Sequence, residues 1–181
     1  MMFRRSIFVT GFPGFITARL VERLANSETQ FFLLVEERFL EQAMERVSLI
    51  AETALVPPEN FALVAGDITQ SDLGISGEDL ETILFETTDV FHLAAVYDLA
   101  VEKDLAFRVN LEGTKNVNSF AQKVSELHRY NYISTCYVAG RREGRIAETE
   151  LEHTAGFRNY YEETKYLAEV EVERLKAELP V

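Results

Sequence analysis

The chain has 181 residues, enough for one domain with a real core and too few for a second of ordinary size. At 47% hydrophobic and 27% charged it is neither disordered nor fibrous, and no apolar run approaches the ~18 residues of a bilayer span, so a soluble protein without membrane insertion is expected. Eighteen Lys and Arg against 30 Asp and Glu give a formal charge of −12, which argues against nucleic acid or anionic lipid as a general partner.

The N-terminal Met-Met-Phe-Arg-Arg is basic, but the apolar run after it, Ile7-Phe8-Val9, is too short for the core of a secretion signal, and a cytoplasmic setting is expected. That run is the first of five; the others cover residues 31–35, 61–65, 90–94 and 130–134. They are continuous rather than alternating, as strands buried on both faces should be. Between them lie helical spacings such as Ile16, Leu20 and Leu24, or residues 43–50, and Val56-Pro57-Pro58-Glu59-Asn60 reads as a turn before the third strand. Strand and helix in alternation predict a doubly wound α/β fold with a parallel sheet and ligands at the carboxyl ends of its strands. A last helix is expected over residues 160–178, with Ala168, Val172, Leu175 and Leu179 on its apolar stripe. A dinucleotide fold of this kind normally continues into a sixth strand, so an amino-terminal piece of a longer protein is expected, with an unpaired edge that invites self-association.

The first strand ends in Thr10-Gly11-Phe12-Pro13-Gly14-Phe15-Ile16-Thr17. Glycines here permit a tight turn and let backbone N–H groups approach a pyrophosphate at the positive end of the next helix. The spacing is G-x-x-G, with Thr17 where a third glycine would stand. At the end of the second strand, Glu36 is placed to accept from an adenosine ribose and leans the choice toward NAD, while Arg38 could instead meet the 2′-phosphate of NADP. Gly66-Asp67-Ile68-Thr69 puts a carboxylate after the third strand, where adenine would lie. Near the start of the last helix, Tyr161 and Lys165 are one turn apart, so an ammonium can favour a tyrosinate and bring it into acid–base range. Thr135, after the fifth strand, is placed to orient a substrate carbonyl.

These motifs occur in one order with Phe91-His92-Leu93-Ala94-Ala95, Asn110-Leu111-Glu112-Gly113-Thr114 and Asn159-x-Tyr161-x-x-Thr164-Lys165. Together they resemble the extended short-chain dehydrogenase/reductase superfamily, and most of all its branch of thioester reductase domains and fatty acyl-CoA reductases. The resemblance implies Tyr161 as proton donor to a developing alkoxide, Lys165 on the nicotinamide ribose, Thr135 on the carbonyl and Asn110 supporting Lys165 through water. It implies residues 10–16 (Thr10, Gly11, Phe12, Pro13, Gly14, Phe15, Ile16), Glu36, Arg38, Asp67, Ile68, Leu93, Ala94 and Ala95 around NAD or NADP. Gly113 within a helix suggests close backbone packing.

His92, inside an apolar strand, reads as a packed core histidine, and His128 and His153 lack partner motifs. Cys136, the single cysteine, excludes an internal disulfide and is expected to be a buried small hydrophobe without catalysis; no metal site is expected. Arg141, Arg142 and Arg145 read as a solvated loop paired with Glu143 and Glu148. The activity expected is hydride transfer between a nicotinamide and a small-molecule carbonyl or alcohol, with an acyl thioester or its aldehyde among the candidate substrates. A sugar-nucleotide epimerase or dehydratase, and a dinucleotide-binding module without turnover, stay open as alternatives.

Overall fold

In the computed structural model, which describes residues 3–181, every apolar run contributes a strand: β1 (Arg5–Thr10), β2 (Thr29–Val35), β3 (Phe61–Ala65), β4 (Asp89–His92) and β5 (Arg129–Tyr132). All pair in parallel, in the order β3-β2-β1-β4-β5. The chain builds outward from β1 to β3, then returns past β1 to build the other half. The reversal leaves a crevice at the carboxyl ends of β1 and β4, where open α/β sheets bind their ligands.

Alternation within the strands assigns the two faces. Ile7, Val9, Phe31, Leu33 and Val35 pack under α1 (Phe15–Leu24) and α2 (Leu40–Ala54). Phe8, Phe32, Leu34 and Val90 face α3 (Gly77–Glu86) and α5 (Gly113–Lys123), with Leu175 at the end of α6 (Tyr160–Leu175) joining them. Phe8 and Phe120 stack at 4.2 Å at the centre of the second layer. Burial of each such ring contributes roughly 1.5–3 kcal/mol, which is why β1 and β2 read as unbroken apolar runs.

The details depart from the sequence reading in three places. The buried face of α1 is Thr17, Ala18 and Val21, with Leu24 partly buried against the same core, whereas Ile16 is exposed because it sits in the helix's first turn at the crevice. Strands β4 and β5 stop two residues early, since Leu93 to Ala95 leave the ladder to cross Gly11, and the Ile133 carbonyl is taken by a side chain of α6. Helix α6 ends at Leu175, and the following turn brings the Pro180 carbonyl to the Tyr130 N–H at 2.9 Å, on β5.

Candidate active site

The turn after β1 is built from backbone. Gly11 has φ +90°, and a Cβ there would lie 2.8 Å from Ala94 N and 3.0 Å from the Leu93 carbonyl carbon, so glycine is required by conformation and by the close pass of the chain after β4. Gly14 takes the N-cap of α1, and no side chain caps that end. Phe15 and Ile16 are 80% and 66% exposed, and no acidic residue stands in the first turn. The first N–H groups of α1 are thus open to an anion such as a pyrophosphate. Thr17 fits where a third glycine was looked for, 3% exposed beneath the turn, while Phe12 is buried and Pro13 half-buried.

His92 is buried, as a packed histidine should be, but it also joins the two halves of the crevice. The Thr10 hydroxyl accepts from the Ala94 N–H (3.1 Å) and lies 2.7 Å from His92 Nδ1; His92 Nε2 lies 3.0 Å from the Thr114 hydroxyl, which donates to the Asn110 carbonyl at 2.7 Å. Only one polarity satisfies both ends: the amide N–H can only donate and the carbonyl only accept, so His92 carries its proton on Nε2. Burial, with the Lys165 charge, pushes its pKa down to about 3 and keeps the ring neutral.

Asn110 lies in a π-helical turn, Phe107–Glu112, between α4 (Lys103–Ala106) and α5, a distortion often found at functional sites. Its side chain accepts from the Val96 N–H (2.8 Å) and donates to the Val96 carbonyl (3.3 Å) and the Thr164 hydroxyl (3.2 Å). It ties the loop after β4 to α6, and its amide is spent there rather than on Lys165. The next helix begins at Gly113, where a Cβ would meet Ile68 Cδ1 at 2.7 Å. That contact puts Ile68 in the core, and its carbonyl accepts from Asn116 (2.7 Å).

Helix α6 is fixed at its start by a reciprocal cap: the Asn159 side chain accepts from the Glu162 N–H (2.9 Å), and Glu162 accepts from the Arg158 N–H (3.0 Å). This holds Tyr161 in a cluster with Val101 and Ala106, edge-on to Tyr97 at 5.2 Å and to Tyr137 at 6.3 Å. Burial pushes the Tyr161 phenol up, the neighbouring Thr135 hydroxyl pulls the other way, and the net shift is upward. Thr135 heads a short 3₁₀ turn, accepting from the Tyr137 N–H at 3.3 Å.

Lys165 corrects the spacing argument. Its ammonium donates to the Tyr132 hydroxyl (2.8 Å) and the Ile133 carbonyl (2.9 Å), not to Tyr161, although the two residues are one helical turn apart. Burial pushes its pKa down to about 8, with Glu169 opposing. The ammonium therefore does not lower the Tyr161 pKa here, and Tyr132, unremarked in the sequence, is its nearest hydroxyl partner. Only the aromatic residue at the end of an apolar strand hinted at it.

Further out, Glu36 and Arg38 pair with each other at 2.8 Å, with Arg38 over the Phe39 ring, so the two competing ribose contacts are one exposed ion pair. The Asp67 carboxylate accepts from the Thr69 N–H at 2.8 Å, closing its own turn. Cys136 is exposed rather than buried, because it stands on the outward side of the 3₁₀ turn. Arg142 donates to the backbone carbonyls of Ala139 and Glu150, and neither Glu143 nor Glu148 forms an ion pair among the described residues. His153 bridges the Val138 carbonyl and the Ala155 N–H. Among the described residues no cluster of His, Cys, Asp and Glu could hold a metal, and no helix is long and apolar enough to cross a membrane.

Comparison with known proteins bears on the whole of this region. A family model described as male sterility protein, an NAD-binding domain, matches residues 9–181. The chain is 29% identical over 162 residues to fatty acyl-CoA reductase 2, chloroplastic, of Arabidopsis thaliana, covering 80% of this chain and 26% of the relative. It is 25% identical over 213 residues to fatty acyl-CoA reductase wat of Drosophila melanogaster, covering 98% and 41%. The terminal R domain of the myxalamid PKS-NRPS biosynthetic pathway superposes with a TM-score of 0.82 at 26% identity, over 98% of this chain and 47% of that one. The chain thus spans less than half the length of these relatives. With the sheet order, the glycine turn and the Tyr161 and Lys165 helix in place, it belongs to the male sterility family of NAD-binding domains, within the fatty acyl-CoA reductase branch of the extended short-chain dehydrogenase/reductases.

Proposed function

We propose that this chain is the dinucleotide-binding and proton-donating part of a reductase that acts on the carbonyl of an acyl thioester or its aldehyde. The observation that carries the reading is the joining of an uncapped glycine turn to the Tyr161 helix through Thr10, His92, Thr114, Asn110 and Thr164. Gly11 to Ile16 would hold the pyrophosphate on backbone N–H groups, Leu93, Ala94 and Ala95 would floor the crevice, and Asp67 would lie toward the adenine. Glu36 would take the ribose hydroxyls, which supports NAD(H) binding at least as tight as NADP(H). A bound nicotinamide supplies or takes the hydride. Tyr161, held as a phenol by burial, has a proton to give to the oxygen of the reduced carbonyl, and Thr135 beside it would orient that oxygen. Lys165, charged below about 8, adds a local cation for ribose hydroxyls.

Relatives named as fatty acyl-CoA reductases favour this reading over an epimerase, and the retention of Thr135, Tyr161 and Lys165 together favours it over a module without turnover. The lone Cys136 suits a reducing, cytoplasmic setting. The test is calorimetric titration with NAD(H) and NADP(H), followed by assay of the full chain against acyl thioesters and aldehydes. Dinucleotide binding with thioester or aldehyde reduction is the expected result. Absence of binding to either dinucleotide, or turnover of sugar nucleotides alone, overturns it.

A further inference from the structure

An ammonium has three N–H donors at fixed tetrahedral angles. Lys165 is 4% exposed and spends two of them on one short stretch of chain, the Tyr132 hydroxyl at 2.8 Å and the Ile133 carbonyl at 2.9 Å. Two ties fix the direction of the third donor; a single tie would leave the ammonium free to swing about it. Tyr132 is itself held. Its ring lies 4.4 Å from Lys165 Nζ and 5.6 Å from the His92 ring, and the Thr114 hydroxyl neighbours its phenol. The same Thr114 receives the His92 proton, so the tie to Lys165 is anchored on the network that closes the crevice.

We propose that Tyr132 is a positioning residue whose hydroxyl aims the Lys165 ammonium, so that its remaining N–H is presented in one direction to a ligand in the crevice. The identity of that ligand, a dinucleotide ribose, rests on the functional reading above; the aiming does not. Tyr132 acts as a neutral acceptor and not as a counter-ion, because burial pushes its own pKa up and keeps it a phenol. The charged and titratable groups facing Lys165 are Glu169 on its own helix, whose carboxylate accepts from Ser134, neutral His92 on β4 and Tyr132 on β5, with Tyr161 one turn earlier. Among the described residues, only Tyr132 offers a side-chain hydrogen bond to the ammonium.

The experiment follows the Lys165 ammonium by NMR on isotopically labelled full chain, through its titration near about 8. In Tyr132→Phe the charged form loses an acceptor in a buried place, so the titration should move down by about one pH unit. An unmoved titration overturns the proposal. The unsubstituted protein gives an independent reading that needs no variant to fold: the Tyr132 ring-carbon resonance next to the hydroxyl should shift in step with Lys165, and a Tyr132 signal indifferent to that titration overturns the proposal as well. Dinucleotide titration then separates the two claims. If the unsubstituted chain binds NAD(H) or NADP(H), Tyr132→Phe should weaken that binding roughly tenfold at a temperature well below the variant's own melting midpoint, and equal affinities count against the aiming. If it binds neither, the functional reading fails while the Lys165 titration still decides the role of Tyr132.

Discussion

The two ends of the crevice are made from different materials. At the glycine turn the groups left open are backbone N–H donors, and the side chains of Phe15 and Ile16 stand aside in solvent. At the start of α6 the working groups are side chains, and each is where it is because another side chain holds it: Asn159 caps the helix, Asn110 grips Thr164, and Tyr132 takes Lys165. A site made of backbone depends on a few residues that permit a conformation. A site made of side chains depends on partners far apart in sequence.

Four perturbations test that contrast. Tyr161→Phe has the largest expected effect: turnover should fall by roughly 10²–10⁴ with dinucleotide affinity kept, measured by steady-state kinetics beside calorimetry. Equal loss of both would remove Tyr161 from the chemistry. His92 comes next, in stability. Its folded pKa of about 3 lies below the ordinary 6.5, so the unfolded chain binds the proton first as pH falls. Stability is therefore full above 6.5 and declines toward 3, by on the order of 4 kcal/mol. Denaturant melts across that range should show the slope, and His92→Gln should flatten it; an unchanged slope would place the acid sensitivity elsewhere.

Gly11→Ala tests the backbone end. With φ +90° and backbone 2.8 Å from the new Cβ, it should cost about 2–4 kcal/mol and abolish dinucleotide binding. Gly144, at φ +84° with nothing within 4 Å, is the control: alanine there should cost only about 1–2 kcal/mol, leaving affinity intact. If both variants behave alike, conformation alone matters and the close pass of Ala94 does not. The smallest effect is expected at the outer pair. Glu36→Gln frees Arg38, and the affinity ratio of NADP(H) to NAD(H) should rise by about tenfold, read from paired titrations. No change would leave Glu36 and Arg38 as a surface ion pair.

The same contrast explains what could be read beforehand. The five strands and the glycine turn were legible because continuous apolar runs and a G-x-x-G spacing are local properties of the chain. Tyr161 and Lys165 were legible as residues on one helix, but the partner of Lys165 was not. Position 132 is 33 residues away in sequence and reaches Nζ only because β5 ends there. The rotated face of α1 was missed since periodicity could not tell that Ile16 would lie in the opening of the crevice while Thr17 and Ala18 turn inward. The π-helical turn at Phe107–Glu112 left no periodic mark, although Gly113 hinted at the tight contact with Ile68 beside it.

The fixed polarity of the chain through His92 limits what the molecule can become. Turning that imidazole over by half a rotation would put Cδ2 where Nδ1 stands and Cε1 where Nε2 stands, so both hydroxyl contacts would be lost in a dry interior. The ring is therefore keyed: it seats in one of two orientations, and only that one lets the loop after β4 close over Gly11 while α5 stays in register. A replacement at position 92 has to offer an acceptor toward Thr10 and a donor toward Thr114 at the same span. Few side chains do both, so this position should resist change in any screen that selects for a folded crevice, whatever substrate the protein serves.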